Sequence, residues 1–444
     1  MQTPSYKQIL AMAAPIILAN CSTPMLGLAD TAIIGNFAST QHLGAIALGA
    51  LILSFVYWGF GFLRMSTTGF VAQAMGKSDP TTAALVLLRA LLLALLIGLG
   101  LIALQKPVIQ LSLWLLGASA EVETLANDYF VVRIWGAPAT LATYALMGYL
   151  IGSGQNRTLL VIQLVLNGLN IGFDFFFAGY LGWGAAGIAT GTLLAEWITV
   201  MGSGLFILRQ ITTSIGNQNE KLSWKRILDL SQILITLQEN SNLLIRTLFL
   251  LLGFALFTNQ GARFGDSILA ANHLLLQLIS FSAFFLDGYA HVSEFYIGRA
   301  IGSRNWPQFK ILVQRTTYLA AFTALILAAT IAAFRLPIVE MLTDIPQVRA
   351  HTLEYMPYAL AYIVVSFAAF QLDGIYIGAT YSSALRNASL IATISFILAS
   401  LPLVALWHNQ GLWCAFILFV IFRAVALGYY SPQLKKQVER GSLL

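Results

Sequence analysis

Charge is scarce in this chain. Only 9% of its 444 residues are Asp, Glu, Lys or Arg, against about 25% in soluble domains. With 58% hydrophobic residues and a mean hydropathy of +0.78, a water-soluble globule could not cover its own surface. The excess apolar surface therefore faces lipid. Cysteine is scarcer still: Cys21 and Cys414 are the only two, both in apolar segments, which excludes a disulfide framework and a thiolate metal cluster. The five histidines (His42, His273, His291, His351, His408) show no metal-ligand spacing. Neither G-x-x-x-x-G-K-[ST] nor H-E-x-x-H nor G-x-S-x-G occurs, so the usual signatures of ATP binding, zinc hydrolysis and serine hydrolysis are missing. No enzyme activity, metal or cofactor is expected. The formal net charge of +6 sits in short connecting segments, where it reports topology rather than a nucleic-acid partner.

What is present is length of apolar run. A span takes about 20 apolar residues to cross the hydrocarbon core, and only helices or closed barrels satisfy their backbone there. The runs are too long for barrel strands. Twelve helices are expected, near 9–35, 43–75, 84–105, 125–152, 158–178, 184–208, 230–258, 266–299, 312–334, 350–379, 387–406 and 411–431. Leu18-Ala19-Asn20-Cys21 loosely resembles a lipoprotein cleavage box, but Asn20 suits that role poorly, and the segment is read as a retained first span. Connections alternate in charge. One set holds Lys7, Lys77, Arg157, Arg209, Lys221, Lys225, Arg226, Arg299, Arg304, Lys310, Arg386, Lys435, Lys436 and Arg440, the other only Lys106, Arg263, Arg335 and Arg349. Short basic loops stay cytoplasmic, which places both termini inside a plasma (inner) membrane.

The chain is also duplicated. At an offset of 226 residues Ala74-Met75-Gly76 recurs as Ala300-Ile301-Gly302, Arg89 as Arg315, Asp128-Tyr129 as Glu354-Tyr355, and Gly148-x-x-Ile151-Gly152 as Gly374-x-x-Ile377-Gly378. Two six-helix lobes of one orientation follow, 1–211 and 222–444, joined by the polar stretch 212–221. Parallel repeats of this kind are a transporter architecture, with the substrate path between the halves.

A charge at the bilayer centre costs about 2.5–3.5 kcal/mol on insertion scales, so the embedded acids are functional candidates. Asp30, Asp174, Asp287 and Asp373 lie in predicted spans, and none is duplicated: Gly61 stands opposite Asp287 and Met147 opposite Asp373. Asn167, Asn170 and Asp174 are spaced by three and four, so they share one helix face. With Asp30 they form a candidate paired-carboxylate site. Two close carboxylates resist double ionisation, which suits proton loading; the same oxygens suit Na⁺, and a purely structural pairing stays open. Pro15 and Pro24 remove backbone bonds from the first helix beside this acid. Glu239 and Arg246, seven apart on one face of the seventh helix, are expected to pair. Asp287 and Asp373 are candidates for attracting a cationic substrate or for a second coupling site. Embedded basic residues reduce to Arg64, Arg133 and Arg246, which does not favour an anionic lipid head as the cargo.

The opening Pro15…Asp30-Thr-Ala-Ile-Ile-Gly35 resembles the first helix of MATE (multidrug and toxic compound extrusion) transporters. Asn170-x-x-x-Asp174 followed by Gly184-Ala-Ala-Gly187-Ile-Ala-Thr190 resembles their fifth and sixth helices. Leu286-Asp287-Gly288-Tyr289-Ala290, Gly298-Arg-Ala-Ile-Gly302 and Gln371-Leu372-Asp373-Gly374 resemble the DinF branch. The resemblance covers nearly the whole chain. It implies an all-α, V-shaped fold of twelve spans, and export of cationic or amphiphilic compounds, by a monomer, against inward H⁺ or Na⁺, with a lipid-linked saccharide flippase of the related superfamily as the alternative. It implies a coupling site of Asp30, Asn170, Asp174 and a helix-6 threonine matched here by Thr192, with bending of the first helix at Pro15. It also matches Asp373 and Glu239 to acids of the NorM branch.

Overall fold

The computed structural model describes residues 3–37, 40–116, 119–216 and 223–440; within these, the side chains of 23–43, 215, 216, 437 and 440 lie outside the description. Among the described residues, ten helical segments are long and apolar enough to cross a membrane. The last of these, Ser382–Lys436, is two helices joined at a sharp turn, where Trp407 (φ −129°) and His408 (φ 49°) leave helical geometry. With the first helix, which is not among the ten, twelve spans result. They are α1 Tyr6–Phe37, α2 Gly44–Gly76, α3 Pro80–Ala103, α4 Ala120–Ser153, α5 Asn156–Tyr180 and α6 Gly184–Ser214. The second half supplies α7 Leu230–Ala262, α8 Asp266–Gly302, α9 Trp306–Ala333, α10 Pro346–Gly378, α11 (382–406) and α12 (409–429). Leu96, Leu99, Leu398 and Leu401 are 52–65% exposed in mid-span, as lipid-facing side chains must be.

The expected spans match these within a few residues. Missed were two short helices, Gln105–Leu116 after α3 and Arg335–Leu342 after α9. Also missed was a break in α2, where the amides of Phe60 and Gly61 donate to carbonyls only three residues back.

The helices gather into two compact units. Leu18–Ile235 form the first unit, and Met1–Ile17 with Thr236–Leu443 form the second. In each, the duplication is visible as one repeated contact. A Cβ on Gly148 or Gly152 of α4 would come within 2.5 Å of the Arg64 carbonyl or 2.7 Å of the Thr68 carbonyl of α2. A Cβ on Gly374 or Gly378 of α10 would come within 2.3 Å of the Ala290 carbonyl or 2.6 Å of the Glu294 carbonyl of α8. The residues met, 64 and 68 against 290 and 294, are themselves 226 apart. Lipid supplies no hydrophobic drive between helices, so close backbone approach through small residues holds such pairs together.

The second unit has an aromatic core in which Phe257 lies 4.5 Å from Phe416 and 4.8 Å from Trp413, ring centre to ring centre. The Trp413 indole donates to Asn272 Oδ1 (2.9 Å), and Asn272 and Asn409 exchange amide bonds of 2.8 and 3.0 Å. This buried amide set sits where α12 begins, so the tight α11–α12 turn satisfies polar groups that lipid could not.

Gly374→Val is expected to lower thermal stability in detergent by about 1–3 kcal/mol, since the added atoms meet backbone that cannot yield. Gly148→Val should do the same in the first unit. Surface Gly100→Val, with nothing within 4 Å of its Cβ position, should leave the melting curve nearly in place.

Candidate functional site

In the first unit the polar stripe of α5 is fully inside the protein. Asn167 is 7% exposed, Asn170 1% and Asp174 0%. Such a stripe forms because helical spacings of three and four stack side chains on one face, and lipid forces that face inward. The Asn167 amide donates to Ser22 Oγ of α1 (2.8 Å) and accepts from Gln163 (3.2 Å). Ser22 in turn donates to the Ala19 carbonyl, so α1 is tied to the lower end of the stripe. Asn170 Oδ1 has no hydrogen-bond partner among the described residues.

Asp174 sits where α5 loosens into a π-helical turn, Phe175–Tyr180. Wider turns of this type recur at functional positions in helices. Two glycines of α6 let this turn lie directly on that helix. A Cβ on Gly187 would stand 2.7 Å from the Ala178 nitrogen, and one on Gly191 would stand 2.3 Å from Asp174 Oδ1. Thr192, the next residue, is half-buried and donates its hydroxyl to the Ile188 carbonyl (2.9 Å). Pro15 is half-buried within α1. Asp30 lies on the helical course of α1, but its side chain, like that of Pro24, lies outside the described residues.

The second unit lacks this arrangement. At the 226-residue offset, Asn167, Asn170 and Asp174 become Thr393, Phe396 and Ser400 on α11, all buried. Its own acids are differently used. Asp373 of α10 accepts on Oδ2 from both Arg246 of α7 and Arg423 of α12, the latter at 2.7 Å. All three residues are 6–7% exposed. The Arg423 guanidinium also lies over the Phe370 ring, 5.8 Å from its centre. A carboxylate shared by two guanidiniums is held by charge-assisted bonds and meets a further cation only if these are given up. Asp287 is half-buried on α8, next to Gly288, whose missing Cβ admits Ile17 of α1.

Two expectations need correction. Glu239 does not pair with Arg246; its carboxylate is hydrogen-bonded to Ser382, while Arg246 reaches Asp373. Spacing along one helix shows a shared face but not the neighbouring helix that competes for it, and α10 brings a nearer acid. Embedded basic residues are not confined to Arg64, Arg133 and Arg246 either, because Arg423 lies mid-way along α12 and is buried.

One ion pair carried no role in the sequence. Arg133 of α4 holds Glu196 of α6 through two bonds of 3.0 and 3.1 Å, with both side chains largely buried. A single Arg and a single Glu in different spans, each too costly alone in lipid, were the available signal. In the second unit Glu294 of α8 is buried and stands 3.9 Å from His291.

These features lie in segments shared with known proteins. The MatE family model matches residues 15–176 and 243–406, one match in each half. DNA damage-inducible protein F of Escherichia coli K12 is 34% identical over 431 residues, covering 96% of this chain and 92% of that protein. A probable multidrug resistance protein NorM of Acinetobacter baylyi is 24% identical, covering 80% and 79%. Among solved structures, the outward-facing conformation of a multidrug resistance MATE family transporter superposes with a TM-score of 0.84 at 17% identity, covering 98% and 97%. A MATE structure in the bent conformation also gives 0.84, at 19% identity, covering 99% and 96%. The fold is the MATE transporter fold, and the chain, a multi-pass membrane protein, belongs to the MatE family.

Proposed function

We propose that this chain is a secondary antiporter that exports cationic and amphiphilic small molecules in exchange for protons bound in its first unit. The observation that carries this reading is Asp174, a carboxylate with no solvent exposure set on a membrane-spanning amide stripe. An acid buried in a span is a functional candidate by default, because lipid makes an unused one costly. Proton uptake and release at Asp174, with Asp30 as the second carboxylate, Asn170 and Thr192 as oxygen partners, and Pro15 as the bending point of α1, account for coupling. The names of the A. baylyi relative and of the MATE neighbours agree with a transport role. The basic connecting segments support a plasma (inner) membrane location with both termini inside, and the protein works as a monomer.

The second unit's acid is differently used: Asp373 is shared by Arg246 and Arg423, a structural use of its charge, which leaves the first unit as the place for coupling. Na⁺ coupling is the second reading. The Asn170 carbonyl oxygen, without a hydrogen-bond partner among the described residues and one helical turn before Asp174, contributes to an oxygen-donor set that suits a hard monovalent ion. A proton moving through 100 mV supplies about 2.3 kcal/mol, roughly a fifty-fold gradient. Exchange of one monovalent cation for one proton is electroneutral, and the pH gradient alone drives it.

Purified, reconstituted protein is expected to release protons when ethidium is added without Na⁺, and Asp174→Asn and Asp30→Asn should abolish both that release and efflux while remaining folded. Release that requires Na⁺ would move the assignment to Na⁺ coupling; ethidium binding with no release in either condition would end the antiport reading. Asp373→Ala should behave differently. It leaves two buried guanidiniums without their carboxylate, so a stability loss of about 3–5 kcal/mol is expected in thermal unfolding, a loss that Asp174→Asn should not show.

A further inference from the structure

The duplicated arginines Arg89 and Arg315 have no place in the coupling site, yet the structure gives them the same task. Arg89 of α3 is buried in the first unit. Its Nε donates to the Ile227 carbonyl (3.0 Å) and its terminal nitrogen to the Arg226 carbonyl (2.7 Å). These are the last carbonyls of the one-turn helix Trp224–Ile227, which leads into α7, and a guanidinium at helix-terminal carbonyls is favoured by both hydrogen bonding and the helix dipole. Arg315 of α9 stands in the second unit. It donates to the Pro4 carbonyl and lies over the Tyr6 ring, 5.5 Å from its centre, at the lead-in to α1. Pro4 and the Arg226–Ile227 pair both lie just ahead of the first helix of their half, although at the 226-residue offset Pro4 corresponds to Leu230, three residues past Ile227.

What these segments have in common is that each begins a helix that changes unit. Met1–Ile17 belong to the second unit, and α1 then continues into the first; residues up to Ile235 belong to the first unit, and α7 then continues into the second. Within α1 the change is sharp. Ile9, Ala13 and Ile16 pack with Tyr289, Val292 and Ala320, whereas Ala19 packs with Phe70, Val71 and Tyr149. Each arginine therefore grips the root of a helix in the unit where that root lies, while the far end of the same helix serves the other unit.

We propose that Arg89 and Arg315 are positioning residues for transport, each fixing the root of a helix that links the two units, so that α1 and α7 carry displacement from one unit to the other. The choice of arginine follows from the geometry. A planar fork bonds two successive carbonyls, as at Arg226 and Ile227, and a lysine ammonium lacks that fork. This inference rests on the transport reading for its consequence, but the positioning itself is measurable without it.

The first experiment is hydrogen exchange on full-length protein in nanodiscs. Arg315→Ala is expected to raise exchange in residues 5–17 and, along the same helix, in 18–22; Arg89→Ala should raise it in 224–235 and on into the residues after 236. Increases confined to the root turn next to each arginine, or none, would overturn the proposal. The second experiment separates binding from turnover with ethidium as the probe. In each alanine variant turnover is expected to fall about tenfold or more, the scale of one charged hydrogen bond lost, with the ethidium Kd and the melting temperature near wild type. Arg89→Lys should restore only part of the turnover. Unchanged turnover, or a loss that tracks the Kd and melting temperature, would reject a positioning role. A wild-type protein that moves no ethidium would count against the transport reading alone, and the exchange result would still decide the positioning.

Discussion

The close approach of backbones at four glycines is the constraint on which the rest of the architecture hangs. Helices in lipid gain little by burying apolar side chains against one another, so what fixes α2 on α4 and α8 on α10 is contact at Gly148, Gly152, Gly374 and Gly378, where even a Cβ would collide. These pairs sit at corresponding places in the two units. The helices they lock carry the polar groups discussed above: Arg133 on α4, Glu294 on α8 and Asp373 on α10. A charge can be buried in a membrane only when its partner arrives at a fixed distance, and rigid helix pairs provide that distance.

The duplication was kept for contacts between helices and abandoned for chemistry. Gly148 and Gly374 match, and so do Arg89 and Arg315, because both pairs touch backbone, which is the same in both halves. Asp174 corresponds to Ser400, Asn170 to Phe396, Asp373 to Met147 and Arg133 to Ala359. Each unit has thus solved the burial of charge separately. The second closes Asp373 between Arg246 and Arg423. The first closes Glu196 with Arg133 and buries Asp174 against Gly191 of α6. That difference sets a carboxylate shared by two arginines apart from one packed against a glycine of the next helix.

Hydropathy made the spans legible because the lipid requirement acts on each helix alone. The α5 stripe was legible for the same reason: Asn167, Asn170 and Asp174 declare a common face by their own spacing. Features that depend on a second helix were not. The π-turn after Asp174 is accommodated by Gly187 and Gly191 of α6, and no local pattern in Phe175–Tyr180 announces it. Glu239 and Arg246 share a face, but α10 and the start of α11 bring Asp373 and Ser382 to that face, and each takes one of them. Arg423 sits inside so long an apolar run that its single charge barely changes the hydropathy. The short helices Gln105–Leu116 and Arg335–Leu342 follow spans that already satisfy the length of the membrane, which hides them from any count of spans.

Helix α1 shows how a local defect acquires meaning from packing. Pro15 removes the amide that would bond the Ala11 carbonyl, and a proline inside a helix makes bending there easier than elsewhere. Its position acquires significance from its neighbours: Ile16 is packed in one unit and Ala19 in the other. A helix whose two ends are held by different bodies must absorb any relative displacement along its own length, and it does so where the backbone ladder is weakest. Of the two prolines in α1, Pro15 is the one beside the change of unit, between the root held by Arg315 and the turn where Ser22 binds Asn167.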